Sequence, residues 1–212
     1  DFLLNKMVDG IVFMPLSNNA ENIGKAISKN VPVVLIDRPI AGVNCDMVLA
    51  DNLNASYAAV EHLITMGHKN IGIICGQKDI YTAQERLKGY MRVYEDYGMA
   101  VNEINIKYGD YQLESGYRLM TEFLKSEKRP SAVFVTNYEM TLGAFIAINE
   151  NNVKIPEEMS IIGFDNLTMS RIIKPALSVV IQPMQQIGET VSGLMLKRLK
   201  GDMSNFPAMY RL

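Results

Sequence analysis

Catalytic signatures are what this 212-residue chain has least of. It contains no GxSxG, no Walker loop and no GxGxxG around Gly72 and Gly76, and its only histidines, His62 and His68, lack HExxH spacing. No enzyme is expected, and neither a cofactor nor a metal. The two cysteines, Cys45 and Cys75, are not in CxxC spacing, so no zinc site or disulfide framework is indicated and a reducing cytoplasm fits. Charge of one sign is also missing: 21 Lys and Arg stand against 23 Asp and Glu, a net charge of -2. That leaves no basic footprint for nucleic acid or an anionic membrane, so this stretch is not expected to grip DNA by itself. No run approaches a membrane span, and there is no repeat, linker or low-complexity tract. Asp1 is not a natural start, so a signal peptide or earlier domain lies outside what can be read.

What is present is apolar material, 48% of the residues, enough for one large core or two modest ones, with fourteen methionines as adaptable fillers. It is distributed as alternating strands and helices. Strands are expected over 9–14, 33–36, 46–50, 71–75, 104–108, 132–135, 160–164, 178–181 and 208–212, and helices over 19–29, 54–66, 83–97, 114–126, 138–151 and 184–200. Such alternation argues for an α/β architecture of βαβ units with parallel sheets and right-handed crossovers.

The stretch Ser160-Ile161-Ile162-Gly163-Phe164-Asp165 shows the pattern best: an apolar run suited to a strand buried on both faces, stopping on an acid. In open α/β sheets ligands sit just beyond the carboxyl ends of the strands. The residues at those ends are Asp51, Asp110 with Tyr111, Asn137, Asp165 and Gln182. Acids accept hydroxyl protons, amides donate and accept, and an aromatic face covers C–H surface, so together they describe a site for a polyhydroxylated small molecule. The plainer reading competes at each position, because Asp and Asn favour caps and turns; Asp165 could cap a short helix starting at Leu167.

The order and spacing of several segments resemble the effector-binding core of the LacI/GalR family of bacterial transcription regulators. These are Val8-Asp9-Gly10-Ile11-Val12, Val33-Val34-Leu35-Ile36-Asp37-Arg38, Asp51-Asn52, His62-Leu63-Ile64, Gly67-His68, Arg86-Leu87-Lys88-Gly89-Tyr90, Gly143-Ala144, the block from Ile155-Pro156-Glu157-Glu158 to Asp165, and Gln182-Pro183 with Gly188. The resemblance implies a periplasmic-binding-protein-like fold of two doubly wound parallel-sheet subdomains joined by crossing strands, with the effector in the cleft between them. It also implies that the first subdomain is incomplete, its first strand, first helix and second strand, like the DNA-binding segment, preceding Asp1. On this template residues 1–67 with 183–204 form the N-terminal subdomain, and residues 68–182 with 205–212 the C-terminal one.

Carried over residue by residue, the family's effector contacts fall on Asp51, Arg86, Asn137, Asp165 and Gln182, with Tyr111 near its stacking aromatic. Arg86 is the one addition to the strand-end set. Its fork suits two ligand oxygens, although without the resemblance it reads as a helix-surface ion pair with Glu85 or Glu95. The family commonly follows Asn137 with Asp, and Tyr138 stands here instead, which opens the site to a flatter or more apolar ligand.

The function so implied is a cytoplasmic, ligand-responsive transcription regulator, a homodimeric repressor. A sugar or sugar derivative would switch operator DNA binding by an N-terminal helix-turn-helix outside this chain, with a phosphocarrier protein, as used by the catabolite-control members of the family, as the candidate co-effector. Asp51 would approach the ligand from the first subdomain, Arg86, Asn137 and Asp165 from the second, and Gln182 from near the pivot. The alternative is a periplasmic sugar-binding protein of a transport system. On the sequence alone, Asp165→Ala or Arg86→Ala should abolish effector binding and leave the fold intact.

Overall fold

A computed structural model describes residues 2–17, 19–165 and 171–212. The chain opens on a short helix, α1 (Phe2–Asn5), which the sequence reading did not anticipate, followed by β1 (Ile11–Phe13), α2 (Glu21–Ser28), β2 (Val33–Ile36) and β3 (Asp46–Leu49). Then come α3 (Asn52–Thr65), β4 (Ile71–Cys75), α4 (Tyr81–Asp96), a 3-10 turn (Glu103–Asn105) and β5 (Ile106–Tyr108). The remainder is α5 (Leu113–Leu124), β6 (Ala132–Val135), α6 (Tyr138–Glu150), β7 (Ser160–Phe164), β8 (Ser178–Val180), α7 (Met184–Leu199) and β9 (Met209–Arg211). The short helix expected from Leu167 lies outside the described residues.

Two compact units emerge, residues 1–51 with 183–212 and residues 52–182. The first holds a four-stranded sheet in the order β1-β2-β3-β9 and the second a five-stranded sheet in the order β5-β4-β6-β7-β8. Every strand pairing among the described residues is parallel. That agrees with the expected α/β class, and the cause is visible in the burial of the central strands: all of β4 and β6 are buried, as a sheet covered on both faces requires. Along β4 the side chains alternate, Ile71, Ile73 and Cys75 packing with α3 and α4 through Val60, Leu63, Tyr90 and Val93. Ile74 turns to the opposite layer, where Met120 and Phe123 of α5 and Ala144 and Ile148 of α6 close over it. This two-sided burial sets the carboxyl ends of β4, β6 and β7 side by side at one edge of the second unit.

The expected subdomain boundaries need correcting at two places. Residues 52–67 belong with the second unit, because α3 is braced against α4: a Cβ on Gly89 would overlap the Leu53 carbonyl oxygen and come within 2.9 Å of the Ser56 Cβ. Residues 205–212 belong with the first unit, because β9 pairs with β3 in the register Met47↔Met209, Val48↔Tyr210 and Leu49↔Arg211. A buried ion pair helps lock that end of the chain. Arg198 on α7 grips Asp46 at the start of β3 with Nε to Oδ2 at 2.7 Å and Nη2 to Oδ1 at 2.9 Å. The Ala208 N–H donates to the same Asp46 Oδ1 at 2.7 Å, and Arg198 Nη1 donates to the carbonyl oxygens of Asp202 and Ser204 at 2.6 and 3.2 Å.

Candidate functional site

The strand ends of the second unit meet around one guanidinium. Arg86, on α4, is 5% exposed, not the surface residue that its helical neighbours suggest; Glu85 pairs with Lys88 at 2.8 Å. The Arg86 Nε donates to Asn52 Oδ1, at the start of α3, at 2.7 Å, and Nη1 donates to the Thr136 carbonyl oxygen just beyond β6. Its Cζ lies 3.7 Å from the ring centroid of Phe164, the last residue of β7. A cation this deep must be offset by strong acceptors, and a carbonyl, an amide oxygen and an aromatic face supply part of what is needed. The same charge reaches the end of β4: burial pushes the Cys75 thiol up to about 12, with Arg86 acting in the opposite direction.

Around this centre the expected residues fall in sequence order along the sheet edge. Asp165, directly after Phe164, turns the chain in the left-handed region at φ 64 and its N–H donates to the Val180 carbonyl oxygen at 2.7 Å. Asp is among the few residue types that tolerate this conformation. Gln182, beyond β8, donates from Nε2 to Asp165 Oδ1 at 2.9 Å, so the acid and the amide are already one hydrogen-bonded pair. Asn137 follows Thr136 and caps α6, its side-chain oxygen accepting from the Met140 N–H at 3.1 Å, while its Nδ2 donates to the Tyr111 carbonyl oxygen at 3.4 Å. Tyr111 itself adopts φ 69, a costly conformation for an aromatic residue and one that recurs at ligand clamps. The ring lies across the end of β4, where a Cβ on Gly76 would fall inside it.

Arg86, Tyr111, Asn137, Asp165 and Gln182 are thus brought to one sheet edge by short steps through Thr136 and Phe164. Asp51 stands at the carboxyl end of β3 in the first unit, half-buried, with its N–H donating to the Leu212 carbonyl oxygen at 2.7 Å. For Asp110 the turn reading holds: it is exposed, its Oδ1 accepts from the Gln112 N–H at 3.0 Å, and bonds to Ser115 and then Gln112 hold its carboxyl below the usual range. Sequence reasoning missed three residues that build the site, Asn52, Thr136 and Phe164. Asn52 and Phe164 lie inside the segments that carried the resemblance, yet only burial reveals what they touch.

Among the described residues no group of three or more His, Cys, Asp or Glu is placed to hold a metal, and no helix is long and apolar enough to cross a membrane. What the edge offers is hydrogen-bond acceptors, amide donors, a fixed cation and a ring: recognition chemistry for a small polar molecule.

The family profile of the periplasmic binding protein-like domain matches residues 60–208. An HTH-type transcriptional repressor PurR of Actinobacillus pleuropneumoniae is 32% identical over 206 residues, covering 97% of this chain and 61% of that protein. The chain therefore spans less than two thirds of the length of that curated relative. A sugar-binding transcriptional regulator of the LacI family from Escherichia coli, solved with phosphate, superposes with a TM-score of 0.85 at 30% identity, over 99% of this chain and 76% of that one. The transcriptional regulator CelR in complex with cellobiose gives a TM-score of 0.90 at 28% identity, over 100% of this chain and 65% of that one.

Proposed function

The chain belongs to the periplasmic-binding-protein-like family as an effector-binding domain of the LacI/GalR type, and from that premise we propose that it binds a sugar or sugar derivative and relays that binding to operator DNA. The observation that carries the reading is the continuous edge from Tyr111 through Asn137, Thr136, Arg86 and Phe164 to the Asp165–Gln182 pair. A sugar hydroxyl donates to the second Asp165 oxygen, the Arg86 fork takes ring oxygens, a carboxylate or a phosphate, and the Tyr111 ring covers a C–H face. Asp51 is proposed as a further effector contact. Tyr138, half-buried where the resemblance expects Asp, widens the candidates toward ligands with a flatter face.

Regulation follows if the effector binds one conformer of the regulator better than the other; a tenfold preference is worth about 1.4 kcal/mol of coupling. The assembly proposed is a cytoplasmic homodimer whose DNA-binding segment recognises the operator, with a phosphocarrier protein as the partner to test if no small molecule is found. Repressor relatives favour this reading over a transport protein, and a binding role over catalysis. The test is a thermal-shift screen of this chain against sugars, sugar acids, sugar phosphates and nucleobases, since a ligand specific for the native state raises the melting temperature. A hit that Asp165→Asn abolishes supports the site. A hit of unchanged affinity in Asp165→Asn and in Arg86→Lys refutes it.

A further inference from the structure

Arg86 is held at the strand ends by several groups, and one of them is Asn52, to which the sequence reading assigned no role at the site. An arginine loses rotamer entropy when it is ordered, so a fork fixed before the ligand arrives binds more tightly than one ordered by the ligand. The guanidinium is stacked on Phe164, and its Nη1 donates to the Thr136 carbonyl oxygen. Nε donates to Asn52 Oδ1 at 2.7 Å, from another nitrogen to an acceptor on a different element, so Asn52 sets one of the directions in which the group is held. Asn52 is itself 1% exposed in the first turn of α3, and the close α3–α4 approach at Gly89 sets its separation from the helix that carries Arg86.

We propose that Asn52 is a positioning residue for the ligand-binding arginine: by accepting the Nε proton it fixes the rotation of the Arg86 guanidinium over Phe164, and with it the direction of the fork. The inference rests on the reading of Arg86 as an effector contact, and half of its test needs no effector.

In an 15N–1H spectrum of this chain the Arg86 Nε–Hε signal, identified by its loss in Arg86→Lys, is expected to be shifted by the Phe164 ring current and protected from solvent exchange. Asn52→Ala should speed that exchange about tenfold or more, since a hydrogen bond to a charged group is lost. Asn52→Asp, which keeps an acceptor at the same reach, should restore protection. Urea midpoints on the same samples separate positioning from mere packing: a lowered midpoint with Hε shift and exchange unchanged in Asn52→Ala overturns the proposal. In parallel, cellobiose and inorganic phosphate, the molecules in the two related complexes, are titrated into wild type and Asn52→Ala. Binding about tenfold weaker in Asn52→Ala supports the proposal, and equal affinity overturns it. Wild type that binds neither probe while Hε responds as expected counts against the sugar reading, and the positioning of Arg86 stands on the Hε response.

Discussion

Replacing Arg86 by alanine should damage the fold as well as the site. The side chain is 5% exposed, and its removal takes a charged donor away from Asn52, a residue 1% exposed, and from the Thr136 carbonyl oxygen just beyond β6. Losing hydrogen bonds from a charged donor costs about 1.5–3 kcal/mol, and truncating a packed side chain against the Phe164 ring adds about 1–2 kcal/mol. Against that, the mutant no longer buries a charge, which returns part of the loss. The balance is about 2–4 kcal/mol of destabilisation in the second unit. With a urea slope of about 2 kcal/mol per molar, the midpoint should fall by about 1–2 M. Arg86→Lys keeps the charge but loses the planar fork and the stack, and should lie about halfway. Asp165 differs: it is half-buried, its side chain accepts from Gln182, and Asp165→Asn retains both that bond and the left-handed turn, so its midpoint should stay within about 0.3 M of wild type. The structure thus separates two positions that the sequence treated alike, both having been expected to leave the fold intact on replacement by alanine. Chemical unfolding followed by circular dichroism and by tyrosine fluorescence checks this. An Arg86→Ala midpoint within about 0.3 M of wild type would refute the account of Arg86 as a structural as well as a recognition group.

Three further outcomes follow from particular contacts. Asp46→Ala should cost about 3–5 kcal/mol, the penalty for stripping one partner from a buried pair, and the Ala208 amide should lose its protection from hydrogen exchange; protection at wild-type level would contradict the role given to Asp46. Gly143→Ala should destabilise by about 2 kcal/mol or more, because a Cβ there overlaps the Leu113 carbonyl oxygen and comes within 2.7 Å of the Tyr117 nitrogen; Gly188→Ala, with nothing within 4 Å, should stabilise α7 by about 0.5–1 kcal/mol, and melting temperatures that move in the same direction would rule this out. His68 lies with Nδ1 2.9 Å from Ser131 Oγ and Nε2 3.0 Å from Ser160 Oγ, and burial holds its imidazole below the ordinary value. As pH falls through about 6.5 the unfolded chain takes up this proton first, so the linked stability is complete above that pH and is lost between it and the lower folded value. Urea midpoints at several pH values should drop less steeply in His68→Gln than in wild type, and parallel slopes would show that His68 is not the group responsible.

How much of this was legible beforehand depends on burial. The bounds of β2, β4 and β6 coincide with the expected ones, 33–36, 71–75 and 132–135, because a strand covered on both faces must be apolar at consecutive positions and its ends are marked by the first polar residue. The partly or wholly exposed strands β1, β5, β8 and β9 came out shorter than expected, since without full burial no such mark is left. The residues at the strand ends could be named from the same logic. For Asn137 and Asp110 both the capping or turn role and the location at a strand end are real, and residue type alone does not weigh one against the other.

The sequence by itself determined the α/β class, the alternation of strands and helices and the set of polar groups at the strand ends, since these follow from local periodicity and from where apolar runs stop. Only the tertiary structure decided that β9 joins β3, that α3 belongs with α4, and that Arg86 is buried against Asn52, Thr136 and Phe164. Those outcomes depend on contacts between residues 34 or more positions apart along the chain, such as Asn52 with Arg86 and Asp46 with Arg198. Whether a charge is tolerated in a core is set by the acceptors that folding gathers around it, and no local pattern in the chain records them.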